Sequence, residues 1–431
     1  MSFTWKEIES RSKIKPEERF RASYTLYNNK IIIYGGCKIE NYRKYIYYDD
    51  MYEFDLATKK WSKIEQIGDL PAARWGNTTV VHDDRLIIFG GRQKSKEDPT
   101  PFYFDLKKRV WSNLDTKGDS ESLYYHASVV YKNRYMISIG GLIPNDKYNT
   151  KIYSLDLEKL EWKVINIKGE NLSPRFGHTA VIENDDIYVL GGYKRYTLSG
   201  LFKFNLLSNS WSRIVVPNDD IWTMKESHSA VLDPKSKKMI IFGGLKRVDG
   251  IETNFNNITT FNLITQQWEE VPTKGQPPRT RDDHSAILSN NKMYIFFGTS
   301  GNKVFYNDMF ELKFGSDLSV HMHAFFDNQE FCDVEIISCD DQVLKAHSSI
   351  LKGRLKNHYT PSLIAQLGRF TYSEVRSFLT FIYTGKLEIN QPEATEKIKK
   401  LIEEFKLKNL SVVNAENCEN ELENDMLEIV P

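Results

Sequence analysis

An apolar run that ends in a glycine pair recurs along most of the chain. IIIYGG closes at Gly35-Gly36, LIIFGG at Gly90-Gly91, MISIGG at Gly140-Gly141, IYVLGG at Gly191-Gly192 and MIIFGG at Gly243-Gly244. The spacings are 55, 50, 51 and 52 residues, and a sixth copy, MYIFFG, ends at Gly298. Regular recurrence at this length means one supersecondary unit repeated, each copy burying its apolar faces against its neighbours. Each of the first five copies continues into an Asp or Asn followed six residues later by a Trp: Asp55/Trp61, Asp105/Trp111, Asp156/Trp162, Asn205/Trp211 and Asn262/Trp268. Polar pairs such as Asn28-Asn29 and Asp83-Asp84 sit between the first two strands of a copy, where tight hairpins need a left-handed backbone.

A repeat near 50 residues with these marks resembles the kelch family, in which one repeat is one four-stranded propeller blade. The resemblance covers roughly residues 1–315 and implies an all-β six-bladed propeller. The sixth copy has a third strand, DMFELKF, but carries Ser319 where the others carry Trp. FTWKEI at the amino terminus has the form of the missing fourth strand, so Trp5 is expected to complete blade six and close the ring.

After Gly315 the pattern changes. FCDVEI, KAH, SSIL and FIYTG follow in that order and resemble a BTB/POZ domain, a small α/β module, over residues 316–410. Leu318, Met322, Phe325 and Phe326 recur at helical spacing. In the family the matching helix lies at a homodimer interface, so these residues are the expected dimer seam. Asp333 and His347 fall on an Asp and a His that recur in the family, and are read as a structural polar contact because no nucleophile accompanies them. The segment 411–431 holds six acids and no base, and is expected to be a disordered tail.

Composition narrows the function. Lys plus Arg (58) equals Asp plus Glu (58), which disfavours a general nucleic-acid binder, and no apolar run is long enough to span a membrane. The four cysteines form no CxxC pair and fit a reducing compartment, cytoplasm or nucleus. His126, His178, His228 and His284 recur at the start of successive first strands. A metal ring is conceivable there, but Ala22 and Asn77 occupy the same place in blades one and two, so the histidines are read as structural and no metal or cofactor is expected.

The second-to-third strand connections vary in length and hold Arg43, Lys44, Arg92, Lys194, Arg195, Tyr196 and Arg247. Variable loops on a rigid scaffold carry binding, and Tyr and Arg are favoured contact residues, so this face is the expected partner site. Propeller-then-BTB order resembles the leucine-zipper-like regulator family, which implies a non-enzymatic adaptor that presents a captured protein to a cullin ubiquitin ligase. A hydrophobic-x-Glu signal, usual in cullin-binding BTB domains, has no match in KNHYTPSLIAQLGRF. The alternative is a scaffold for cytoskeletal or small-GTPase signalling that binds no cullin.

Overall fold

In the computed structural model of the chain the described residues are 2–41, 44–94, 99–217, 219–301, 304–315, 326, 332–355, 360–384, 386–387 and 411–412. The chain divides into two compact units, Ser2–Phe314 and a second drawn from Gly315–Pro431.

The first unit is a propeller of six antiparallel sheets. Blade one is Ser23–Tyr27, Lys30–Tyr34, Met51–Asp55 and Lys60–Lys63, paired in that order. Blades two to five repeat it around Arg85–Phe89, Tyr135–Ile139, Asp186–Leu190 and Lys238–Phe242 as second strands. These second strands are packed on both faces by neighbouring blades: Ile31, Ile33 and Tyr34 are at most 1% exposed. That explains their unbroken apolar runs. Blade six takes its outer strand from the amino terminus, Ser2–Glu7, which lies between Met309–Gly315 and Thr273–Lys274. Trp5 is buried there, edge-on to Phe242 of blade five at 5.2 Å and to Phe310 at 6.5 Å.

The recurring marks acquire physical roles. Asn28, Asn29, Asp83 and Asp84 all adopt positive φ in two-residue hairpin turns. The Asp or Asn ahead of each Trp folds the outer turn, as when Asp55 Oδ1 accepts from Ala57 N at 2.9 Å and Thr58 N at 2.8 Å. Asn262 does the same for Ile264 and Thr265.

The second unit pairs Val334–Ile337 with Val343–Ala346 and carries helices Ser348–Leu355, Pro361–Leu367 and Tyr372–Thr384. Thr371 and Glu374 form a reciprocal capping box at the start of the last helix. Its core gathers Ile336, Leu344, Leu351, Leu363, Phe378 and Ile382.

Candidate functional site

Where the chain enters each first strand, four consecutive residues stack as four tiers around the central channel. The outermost tier anchors the loops. Arg19, Arg74, Arg175 and Arg281 are each at most 2% exposed. Their Nη1 atoms donate to the carbonyls of Gly35, Gly90, Gly191 and Phe297 at 2.8–2.9 Å. Arg281 also grips Asp308 with both Nη atoms, at 2.6 and 2.8 Å. Such burial is tolerable because the guanidinium fork is filled by fixed acceptors. Leu123 replaces the arginine in blade three, where Asn149 Nδ2 supplies the bond to Gly140 O at 3.0 Å. Lys225 replaces it in blade five, and burial lowers its pKa to about 8.

The second tier is Phe20, Trp75, Tyr124, Phe176, Glu226 and Asp282. Each pairs through its main chain with the first residue of its blade's long connection, as in Phe20 with Cys37 and Trp75 with Arg92. The tier is two-sided. Blades one to four carry aromatic rings: Trp75 contacts Tyr124 at 5.9 Å and Tyr125 at 5.5 Å, and Tyr125 contacts Phe176 at 5.1 Å. Phe20, Trp75 and Tyr124 are at most 5% exposed, while Tyr125 and Phe176 are half-buried. Blades five and six present buried acids. Glu226 is 1% exposed and accepts from Arg247 Nη1 at 2.9 Å and Thr197 Oγ1 at 3.1 Å. Burial pushes its carboxyl up to about 7. Asp282, bonded by the Asn254 amide, is raised by burial and then by the neighbouring charge of Asp283.

The third tier is Arg21, Gly76, Tyr125, Gly177, Ser227 and Asp283. Each main-chain N–H donates to the carbonyl of the previous blade's member, with Arg21 N returning to Asp283 O at 3.1 Å, so the bonds form a closed ring. Arg21 sits at the junction of the two sides. Its guanidinium pairs with Asp283 at 2.9 Å and lies over the rings of Tyr125 at 4.0 Å and Trp75 at 4.8 Å.

The fourth tier is Ala22, Asn77 and the four histidines, which line a cavity of about 130 Å³ together with the third tier. The ring nitrogens of His126, His228 and His284 meet hydroxyls of the preceding blade: Thr78 at 2.9 Å, Thr179 at 2.7 Å and Ser229 at 2.8 Å. Asn77 reaches Ser23 in the same way at 2.7 Å. His178 faces Ala127 at the corresponding place in blade three and lacks this hydroxyl. Burial lowers the pKa of His126, His178 and His228 to about 3 and holds His284 well below the usual range. Among the described residues no group of three or more His, Cys, Asp or Glu side chains is placed to hold a metal.

Of the residues expected to form the partner site, three are ion-paired. Arg247 bridges Glu226 at 2.9 Å and Glu252 at 2.8 Å, Arg92 pairs with Asp146 at 2.7 Å, and Lys44 lies 3.7 Å from Glu40. Lys194, Arg195 and Tyr196 cluster on the hairpin of blade four, where Tyr196 is 64% exposed. Arg43 lies outside the described residues, as do Leu318, Met322 and Phe325. Phe326 is buried in the core of its own unit against Tyr383 at 4.9 Å, and so does not present an outward seam. Asp333 and His347 find separate partners: Asp333 accepts from Ser348 N at 2.6 Å at the start of a helix, and His347 Nδ1 meets Tyr383 Oη at 2.8 Å.

Sequence reasoning located the fourth tier and missed the three outside it. The signal was present: reading three residues back from each histidine, or from Ala22 and Asn77, recovers every tier.

Comparison with known proteins agrees with this geometry. The family model of the KLHDC2/KLHL20/DRC7 Kelch-repeats domain matches residues 1–192 and 188–324, and that of the BTB/POZ domain matches residues 322–424. Host cell factor homolog hcf-1 of Caenorhabditis elegans is 26% identical over 265 residues, covering 56% of this chain and 33% of that protein. Human host cell factor 2 is 28% identical over 263 residues, 55% of this chain and 32% of its own length. The chain thus spans about a third of the length of these two relatives. The leucine-zipper-like transcriptional regulator 1 homolog of Drosophila melanogaster is 22% identical over 375 residues, 82% of this chain and 37% of that protein. Among solved structures, that of YjhT shares the fold with a TM-score of 0.56 at 14% identity, covering 70% of this chain and 97% of that one. The chain belongs to the KLHDC2/KLHL20/DRC7 Kelch-repeats family, with its propeller followed by a BTB/POZ domain.

Proposed function

We propose that the chain is a non-enzymatic adaptor whose propeller captures a protein partner at the channel mouth while its BTB/POZ unit dimerises and engages a cullin-type ubiquitin ligase. The observation that carries the reading is the two-sided second tier. The half-buried rings of Tyr125 and Phe176 offer apolar area at the mouth beside the buried acids, and aromatic side chains are favoured contact residues. Because Arg21, Arg92 and Arg247 are already ion-paired, capture rests on the half-buried Tyr125 and Phe176 and on the exposed Arg195 and Tyr196 more than on a basic rim. The Drosophila alignment supports the pairing of the two units, since it covers more of the chain than the propeller alone. A cullin-free scaffold is favoured instead by the absence of glutamate from residues 356–370. Affinity capture with the full chain and with a Trp75→Ala/Tyr125→Ala variant, read by mass spectrometry, tests the proposal. Partners should be lost from the variant while a cullin remains in both captures. Partners retained by the variant would refute the mouth as the site, and no cullin in either would leave the scaffold.

A further inference from the structure

In most of the propeller the segment leaving one blade caps the outer edge of the next. Ile67–Gly68 runs parallel to Val110–Trp111, Lys117 bridges Glu161, Lys168 bridges Ser210, and Thr273–Lys274 runs parallel to Phe3–Thr4. Blade one is capped by the amino-terminal segment, through Arg11 N to Lys59 O at 3.0 Å. The straps add main-chain bonds to the outer edge. Lys117 N donates to Leu160 O at 2.7 Å, Trp162 N donates to Lys117 O at 2.8 Å, and Asp69 N donates to Trp111 O at 3.0 Å.

Blade five has no strap among the described residues; its sheet stops at Gln267–Glu270. The cause is legible. Lys117 and Lys168 lie six residues past Trp111 and Trp162, and the residue six past Trp211 is Pro217, which has no N–H to donate. The chain then turns into the helix Asp219–Thr223. By register, Gln266 O and the main-chain N–H and carbonyl of Trp268 are the groups a strap would satisfy. No hydrogen bond to them occurs among the described residues. Trp268 is half-buried, as is Trp211 of the strapped blade four, whereas Trp5, Trp61, Trp111 and Trp162 are at most 7% exposed.

We propose that this edge is a second interaction site, separate from the channel mouth, which takes an extended Lys-Gly segment of a partner protein in parallel register with Gln267–Glu270. The chain's own straps define the occupant. Lys-Gly is their recurrent pair, at Lys117-Gly118, Lys168-Gly169 and Lys274-Gly275. In three straps glycine is required by close approach: a Cβ at Gly68, Gly118 or Gly275 would lie 2.2–2.7 Å from the carbonyl oxygen of the outer-strand Trp. A Cβ at Gly169 would meet nothing within 4 Å, and glycine there serves its positive φ. The exposed Glu269 and Glu270 favour the cation, in competition with Lys238, which lies 2.9 Å from Glu269, and with the Asn257 amide, which donates to Glu270 at 3.0 Å. Added main-chain bonds supply affinity, and the glycine supplies specificity.

The probe is the fluorescent peptide VPTKGQPP, the chain's own residues 271–278, titrated into the full-length protein by anisotropy. Saturable binding is expected, with slowed hydrogen exchange at the Trp268 amide. Replacing the peptide glycine by valine should weaken binding at least tenfold. Pro217→Lys with Asn218→Gly, which gives the chain its own strap, should weaken it to the same degree without lowering the melting temperature. Absence of saturable binding, or equal affinity for the valine peptide or for a folded double variant, would overturn the proposal.

Discussion

Replacing Trp5 by alanine tests whether the amino terminus closes the ring. The indole is 3% exposed and lies against Phe242 and Phe310, so its truncation removes most of an aromatic burial of roughly 200 Å². At about 25 cal/mol per Å² this is roughly 5 kcal/mol, within the range measured for Trp→Ala and Phe→Ala in cores. An unfolding entropy of about 2.1 cal/mol/K per residue, summed over the propeller, converts the loss to a fall of roughly 7 °C in Tm. Calorimetry gives this value. Hydrogen exchange locates the damage, with faster exchange expected first in Met309–Phe314, which pairs with Ser2–Glu7. Trp111→Ala is the control, since that indole is equally buried in a blade whose strands are contiguous in the chain. It should lower Tm comparably without opening blade six. A Trp5→Ala protein that melts within a degree of the parent, or whose blade-six amides exchange no faster, would refute closure by this strand.

Three further outcomes follow from the tiers and the second unit. Ala127→Ser should give His178 the hydroxyl its neighbours have and add about 1 kcal/mol, seen as a raised Tm; Thr179→Ala should remove the partner of His228 and lower it. Stability should fall as pH drops through about 6.5, because the unfolded chain protonates four histidines that the fold keeps neutral. Glu226 and Asp282 act oppositely, since their raised folded pKa values favour the fold at low pH and that favour is lost as pH rises through about 7. Near pH 5.5 the balance is about two protons taken up on unfolding, or about 2.7 kcal/mol per pH unit, measurable by denaturant titration. Met322→Asp with Phe325→Asp should split a dimer, and light scattering that finds a single-chain mass in the parent protein would refute dimerisation through that segment.

The blades were readable because their marks are local. An apolar run, a turn pair and an Asp-to-Trp spacing each act within one repeat, and Trp5 announced itself by lacking a repeat of its own. The channel tiers were less readable. Arg19, Arg74 and Arg281 look like surface charges in the sequence, and the fixed carbonyls of the loops after the second strands, with Asp50 and Asp308 for Arg19 and Arg281, make their burial tolerable. Pairings such as Arg21 with Asp283 join opposite ends of the propeller sequence, so no window of residues contains them. The ion pairs of the loop cations were hidden for a related reason: Arg247 was visible in its loop, while Glu226, which engages it, lies in another segment.

The third-tier ring sets what a partner meets at the channel mouth. All its N–H groups point the same way around the axis, each toward the preceding blade. Peptide dipoles arranged head to tail in a circle cancel in the plane, unlike those of a helix, which add along its length. The ring therefore holds the blades in mutual register while contributing almost no directional field across the opening. A ligand approaching along the axis feels the side chains alone, rings on one half and carboxyls on the other. Exchanging the half-buried Phe176 for an aspartate would then rotate the preferred orientation of the ligand while leaving the main-chain ring beneath it in place.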